Sequence, residues 1–308
     1  MKRVLSVCLL TALLGLVVGC SRDSIPVHIY EETISVPGIE GEHKIFFLAD
    51  SHISICDDRD SGLMDYSALR TAGFAKDGIA AEDRFDAIID KADQKEREMI
   101  ILGGDIIDSA MYASIEHVNA KLDSLKTPYL FLMGNHDFEY GKEYFSETAY
   151  NEYLPRLEQM RGDNAYQVAE YEDLIYFAAD DENSQISQEI LDGYKEVAKK
   201  GKPIVLAIHV PIEPVTGDMS LVEKCKEVWG PSADGKSRVT MGINGCIPSP
   251  VTQEFLDLVL ADDSPVVLVL AGHIHFYHRD MLNDRIPQIV TGAAFEGDAV
   301  EITINSTK

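Results

Sequence analysis

Basic side chains are scarce in this chain of 308 residues: 27 Lys and Arg stand against 52 Asp and Glu, a formal net charge of −25. Such a balance argues against non-specific nucleic-acid binding, which runs on basic surface, so no nucleic-acid polymer is expected as a partner. A phosphate substrate remains open if cations are concentrated locally, and bound metal is the natural source. Internal repeats and low-complexity tracts are absent as well. A hydrophobic fraction of 45% with 8% aromatics leaves material for a sizeable core and argues against wholesale disorder.

Long apolar runs are missing beyond the first twenty residues. There, Lys2 and Arg3 precede an apolar stretch from Val4 to Val18 that ends in Val17-Val18-Gly19-Cys20. Its core of about 15 residues falls short of the roughly 20 that a membrane helix needs, so it reads as a secretory signal. With Cys20 directly after Gly19, the segment resembles a bacterial lipoprotein signal, in which the cysteine is lipidated and becomes the new N-terminus. Residues 1–19 are then a signal peptide, residues 20–30 the lipidated cysteine and a polar tether, and residues 31–308 one domain. Lipid on Cys20 would hold that domain outside the cytoplasm at the bacterial cell membrane, with plain secretion or an uncleaved membrane anchor as the alternatives. Losing Lys2 and Arg3 takes the charge from −25 to −27.

Thiols are few too. Cys8 leaves with the signal and Cys20 takes lipid, leaving Cys56, Cys225 and Cys246. An odd count allows at most one disulfide within the chain, and Cys225 with Cys246 is the pair to test in an oxidising compartment.

What is present is an alternation of short apolar runs with amphipathic stretches. The runs are Lys44–Ala49, Met99–Leu102, Tyr129–Met133, Ile204–Ile208 and Val266–Ala271. Short, β-branched and bounded by turn residues, they predict strands covered on both faces. Helical spacing marks Glu82–Glu98, Ser114–Lys126, Ser187–Lys200 and Thr252–Ala261. The alternation predicts a layered α/β domain, and hairpin patterns over Tyr166–Ala179 and Tyr277–Asn305 add antiparallel strands. Length alone would suggest about two domains. Two long stretches, Ile53–Ala81 and Pro211–Pro250, read as irregular, but neither has the composition of an interdomain linker.

Polar, metal-capable residues follow each of the five runs at once. They are Asp50-Ser51-His52, Gly104-Asp105 with Asp108 three residues on, Gly134-Asn135-His136-Asp137, His209, and Gly272-His273-Ile274-His275. Ligands of open α/β sheets bind outside the carboxyl ends of strands. Asp50/His52 and His273/His275 are each spaced i, i+2, which in extended backbone points both side chains to one side. Gly104, Gly134 and Gly272 let the backbone turn sharply beside an ion. Asp50, His52, Asp105, Asn135, His209, His273 and His275 make seven N/O ligands without a thiolate. That exceeds the roughly three protein ligands of a catalytic zinc and suits two ions about 3.5–4 Å apart sharing a carboxylate. Imidazole with carboxylate favours Zn, Mn or Fe over Ca or Mg. Singly, each motif is as well read as a solvated turn or a helix cap. It is the ordered set that carries the inference.

Taken together, Asp50-x-His52, Gly104-Asp105-x-x-Asp108, Gly134-Asn135-His136-Asp137, His209 and Gly272-His273-x-His275 resemble the calcineurin-like metallophosphoesterase family. The resemblance runs from residue 44 to about 300. It implies a mixed-sheet α/β fold, a four-layer α-β-β-α sandwich with a dinuclear centre at the strand ends. Asp50, His52, Asp105 and His275 would hold one metal; Asp105 as bridge, Asn135, His209 and His273 would hold the other. His136 would meet the phosphate and leaving oxygen, oriented by Asp108. Chemically, two cations neutralise an anionic phosphoester and acidify a bridging water, whose hydroxide attacks phosphorus in line. His136, as imidazolium held by Asp108, would stabilise or protonate the departing alkoxide. The expected activity is hydrolysis of a small phosphomonoester or phosphodiester; the alternative is a silent metal- or solute-binding lipoprotein. Protein Ser/Thr phosphatases resemble Gly-Asp-x-x-Asp-Arg-Gly and Arg-Gly-Asn-His-Glu. Here Ser109 and Ala110 follow Asp108, Met133 precedes Gly134 and Asp137 replaces the Glu, which disfavours a phosphoprotein substrate. Purple acid phosphatases carry Tyr where this chain has Asp108.

One motif competes. Gly230–Ser237 matches the phosphate-cradling pattern G-x-x-x-x-G-K-S, which would make the chain an NTP-binding protein. That pattern functions only between a buried strand and a helix. The charged Val222–Trp229 before it and the Gly- and Pro-rich Arg238–Pro250 after it supply neither, so a chance match in a polar loop is expected. Of the remaining histidines, His278 lies near the Gly-His-x-His turn, while Tyr66 and Trp229 offer aromatic faces within the two long stretches.

Overall fold

The computed structural model describes residues 25–94, 97–139, 147–162, 165–181, 184–216, 220–233, 239–242 and 245–307. Residues 1–19, read above as a signal, and Cys20 lie outside them. Among the described residues no helix is long and apolar enough to cross a membrane.

Two mixed sheets form the centre. The first contains β1 (His28–Val36), β11 (Asp298–Ser306), β2 (Glu42–Leu48), β3 (Met99–Gly103) and β4 (Tyr129–Leu132) in that order. The second orders β5 (Tyr166–Glu170), β6 (Ile175–Ala179), β7 (Ile204–Ala207), β8 (Val266–Ala271), β10 (Pro287–Val290) and β9 (His278–Met281). β2, β3 and β4 pair in parallel, as do β6, β7 and β8.

Alternation along the strands explains the layering. Ile45 and Phe47 of β2 point between the sheets with Ile101, Leu132, Tyr176, Val205 and Leu270. Phe46 and Leu48 point outward onto Phe85, Ile88 and Ile89 of α2 (Ala81–Asp93) and Ile115 and Val118 of α3 (Tyr112–Leu122). On the far side, Phe177 and Leu206 meet Leu191 and Tyr194 of α5 (Gln188–Ala198) and Phe255 of α7 (Pro250–Leu260). Each large apolar side chain buried this way contributes about 1.5–3 kcal/mol. The result is the expected four-layer α-β-β-α mixed-sheet fold.

Differences from the sequence expectation are informative. β1 starts at His28, inside the stretch read as tether, and pairs in parallel with β11. The closing Tyr277–Asn305 region splits: β9 and β10 form the hairpin, while β11 crosses to the first sheet. Both stretches read as irregular contain helices, α1 (Met64–Phe74) after a 3-10 helix at Asp58–Leu63, and α6 (Leu221–Trp229). A further helix, α4 (Glu147–Arg161), had no sequence prediction. Cys56, Cys225 and Cys246 are free thiols, so the Cys225–Cys246 pairing is not formed.

Candidate metal centre

Parallel pairing sends the carboxyl ends of β2, β3 and β4 to one edge, and those of β7 and β8 to another. The loops beyond them are stitched together by backbone hydrogen bonds. Asp50 N–H donates to the Gly104 carbonyl at 3.0 Å, His52 N–H to that of Asp105 at 2.9 Å, and Gly272 N–H to that of His209 at 2.9 Å. A Cβ added to Gly104, which has φ +86°, would come within 2.6 Å of the Gly134 backbone. One added to Gly134 would strike the Asp105 carboxylate. These two glycines therefore let neighbouring loops touch.

Buried carboxylates complete the stitching. Asp137 accepts N–H bonds from Asp105 (2.7 Å), Ile106 (2.8 Å), Ile107 (2.9 Å) and Gly134 (2.7 Å). Asp181 accepts from His209 (2.8 Å) and Val210 (2.9 Å), and Asp50 from the His273 N–H at 2.9 Å.

Three groups of side chains that could hold a metal result among the described residues: Asp50, His52 and His275; His52, Asp105 and His136; and Asp105, His209 and His273. His52 Nε2 faces His275 Nε2 at 3.1 Å, and His273 Nδ1 faces His209 Nε2 at 3.3 Å. Asp105 lies between: its Oδ2 is 3.8 Å from His52 Nε2 and 3.1 Å from His209 Nε2. Its Oδ1 accepts the His136 N–H at 2.7 Å. Asp50 and His52 fall in one group, as their i, i+2 spacing predicts, but His273 and His275 do not. Asp50, His52, Asp105, His273 and His275 all have left-handed backbone, with φ of 58°, 51°, 52°, 72° and 54°. On that backbone His273 turns to the Asp105 side and His275 to the Asp50 side, rather than both to one.

The donors fit metal ions. His209 Nδ1 donates to the Gly103 carbonyl at 2.8 Å, which directs Nε2 at Asp105. Burial opposes charge on this imidazole, but Asp105 and Asp50 outweigh it and raise it to about 10, so an ion bound at Nε2 would take the place of a proton. The Asn135 Oδ1 is buried without a hydrogen-bond partner among the described residues. Burial lowers His52 to about 4, and burial together with His209 lowers His273 to about 3, so both are neutral imidazoles at neutral pH. Facing nitrogens, a shared carboxylate, an orphan amide oxygen and no thiol suit two borderline or hard cations.

Beside this group, His136 Nδ1 pairs with Asp108 Oδ1 at 2.7 Å. Burial opposes charge on His136, but Asp105, the hydrogen bond to Asp108 and nearby Glu139 outweigh it and carry the imidazole up to about 9. Asp108 is fully buried. Burial pushes its carboxyl up, yet the neighbouring His136, His52 and Arg70 hold it well below the usual carboxylate range.

An open pocket of about 320 Å³ sits over these groups, lined by Asp105, His136, His273 and His275 and walled by Trp229, Ser232, Ala233 and Val239. Trp229, at the end of α6, has its ring 5.9 Å from that of His275. His278 instead faces Asp280 at 3.4 Å. The G-x-x-x-x-G-K-S motif follows a helix, not a strand, and its residues 234–237 lie outside the described residues.

Sequence reading missed three contributors. Arg70 of α1 forms a two-pronged pair with Asp108, Nε to Oδ2 and Nη2 to Oδ1 at 3.0 Å. Phe74 stacks on the His52 ring at 4.1 Å. Glu139 is buried, with Oε2 3.4 Å from His136 Nδ1, and burial pushes its carboxyl up to about 8. The signal available was spacing: Tyr66, Arg70 and Phe74 recur every fourth residue, one face of a helix.

Comparison with known proteins agrees with this geometry. No curated protein sequence matches the chain. Among solved structures it is similar to a dimetal phosphatase from Danio rerio, at 14% identity and a TM-score of 0.50, over 82% of this chain and 88% of that one. It is also similar to a purple acid phosphatase from yellow lupin (Lupinus luteus) seeds, at 13% identity and a TM-score of 0.51, over 86% of this chain and 46% of that one. The chain thus spans about half the lupin protein, and both likenesses are of fold. The sequence profile of the calcineurin-like phosphoesterases matches residues 43–277. With that match over most of its length, the chain belongs to the calcineurin-like phosphoesterase family and is a metal-dependent phosphoesterase.

Proposed function

We propose that this protein hydrolyses a small phosphomonoester or phosphodiester outside the cytoplasm, using two ions drawn from Mn, Fe or Zn. In this reading Asp50, His52, Asp105 and His275 hold one ion, and Asp105, Asn135, His209 and His273 the other. The observation that carries it is the position of Asp105 Oδ2 between His52 and His209, with His136 and its Asp108 partner alongside. When bound, two cations would neutralise phosphoryl oxygens and make water more acidic. The chain's own residues do the rest. Asp108 Oδ1 accepts a hydrogen bond from His136 Nδ1–H and so fixes the ring. Held as imidazolium by the surrounding carboxylates, His136 lines the pocket and donates a proton to the departing oxygen. Trp229, Ala233 and Val239 supply an apolar wall for the substrate's organic part, and a volume of about 320 Å³ favours a small one.

His136→Ala should lower kcat by about 10²–10⁴-fold, the usual worth of a positioned proton donor, with both metals retained. Asp105→Ala should lose metal. The check is metal analysis of each variant beside a panel of chromogenic mono- and diesters, after chelation and reloading with Mn or Zn. Equal metal loss in both variants would refute the role given to His136. Two bound metals without turnover of any ester would leave a silent metal-binding lipoprotein.

The location belongs to the same proposal. It rests on the Lys2–Cys20 pattern, in which a charged start and apolar core end at Gly19-Cys20. Mass spectrometry of the mature N-terminus should find lipid on Cys20, and Cys20→Ser should release the protein from membranes. An unlipidated N-terminus on membrane-bound protein would overturn the anchor.

A further inference from the structure

We propose that Arg70 is the positioning residue of this site, the group that fixes the plane of the Asp108 carboxylate so that Oδ1 faces His136. The inference rests on the reading of His136 as proton donor. Nothing in the motif series points to Arg70, which lies on α1 within a stretch that read as irregular.

Asp108 is met by three nitrogens in hydrogen bonds and by a fourth that lies close without bonding. Arg70 Nε donates to Asp108 Oδ2 and Nη2 donates to Oδ1 at 3.0 Å, so both oxygens are held by one rigid fork. Asp108 needs such a clamp because two imidazole nitrogens lie within reach of Oδ1: His136 Nδ1, hydrogen-bonded at 2.7 Å, and His52 Nδ1, 3.5 Å away and buried with no hydrogen bond among the described residues. A carboxylate free to rotate would share itself between a ring that binds metal and a ring that moves a proton. The fork removes that freedom.

Arg70 is itself held. Its guanidinium lies over the Phe74 ring at 4.7 Å and 5.9 Å from the Tyr66 ring centre. Phe74 in turn stacks on His52, with ring planes 10° apart. Tyr66, Arg70 and Phe74 thus form one face of α1, pressed against the metal centre. The pair differs from an ordinary surface ion pair in burial: the Asp108 side chain is 0% exposed and that of Arg70 26%.

The test uses the full metal-loaded protein with two esters, one with an activated aryl leaving group and one with an alkyl leaving group. A positioning role makes kcat for the alkyl ester fall about 10–100-fold in Arg70→Gln, the range typical of partners that orient a functional group, with KM within about twofold. The aryl ester, which leaves without a proton, should keep most of its rate, and metal content should not change. Arg70→Lys should recover under half of the lost rate, because an ammonium cannot hold both oxygens. A readout independent of turnover is the His136 Nδ1 proton seen by NMR in the metal-free protein. It should be protected in the parent and lost in Arg70→Gln at unchanged Tm. Equal losses for both esters with raised KM would make Arg70 a substrate contact and overturn the proposal, as would full recovery by Lys or an unchanged variant. Should the parent turn over neither ester, the functional reading fails, while the NMR result still decides where Arg70 acts.

Discussion

Five of the side chains gathered at the strand ends stand on left-handed backbone, a conformation costing an ordinary L-residue about 1–2 kcal/mol. Strain of that size persists only where the surroundings over-determine it. Here they do so through buried carboxylates that collect loop N–H groups, and Asp137 is the centre of that system, with four donors from two loops. Asp137→Ala would leave those donors buried without an acceptor, at about 1–3 kcal/mol for each that water does not reach. The expected outcome in urea unfolding is a loss of about 3 kcal/mol or more, with weaker metal binding. A loss below about 1 kcal/mol would show that the loops hold their shape without it. Sequence reading placed Asp137 in a motif but not in this role, because a carboxylate that serves backbone groups leaves no pattern of side-chain partners to read.

At the scale of elements, what was legible follows from what each one buries. Strands β3, β4, β7 and β8, and β2 from Ile45 onward, are nearly all apolar because both faces are covered, and each ends in a polar turn, so run and site announce each other. Helix α1 buries little more than Ser67 and turns Tyr66, Arg70 and Phe74 to the site, so it has no apolar stripe to detect. Helix α4 holds Pro155 in its interior, a residue that ordinarily signals a break. Crossing of β11 to the first sheet is a tertiary choice that local alternation does not encode. Opposite the metal centre, the sheets are tied by His43 of β2, whose Nδ1 meets Glu98 at 2.8 Å and whose Nε2 meets Asp173, in the β5–β6 turn, at 3.0 Å. Tyr176 of the second sheet donates to the same Glu98 at 2.8 Å, and Tyr171 packs edge-on against the imidazole. Burial opposes charge on His43, but the two carboxylates outweigh it and raise its pKa above the ordinary 6.5. A raised folded-state value means that the clamp stabilises fully below the unfolded value and fades as pH climbs through the folded one. The gap in urea midpoint between the parent and His43→Gln should therefore shrink as pH rises above 6.5. A gap that stays constant would mean that the tie does not depend on the proton.

For the whole molecule the governing quantity is charge. A net −25 spread over the chain sets up a negative field that any phosphoester, itself an anion, must cross to reach the centre. The cations that the centre is built to hold act at short range, whereas the surface carboxylates act over a Debye length of about 8 Å at physiological salt. Long-range repulsion and short-range attraction are thus separable by ionic strength. If surface charge governs approach, kcat/KM should rise with added salt, and more steeply for a doubly charged monoester than for a singly charged diester of the same alcohol. At high salt the two should converge toward the preference set by the pocket walls, Trp229 among them. Stopped assays of both esters over a range of sodium chloride, at constant metal loading, give the slopes directly. A fall in kcat/KM with salt would reverse the argument, because it would mean that the loaded centre and the cationic side chains near it attract substrate across more than a Debye length.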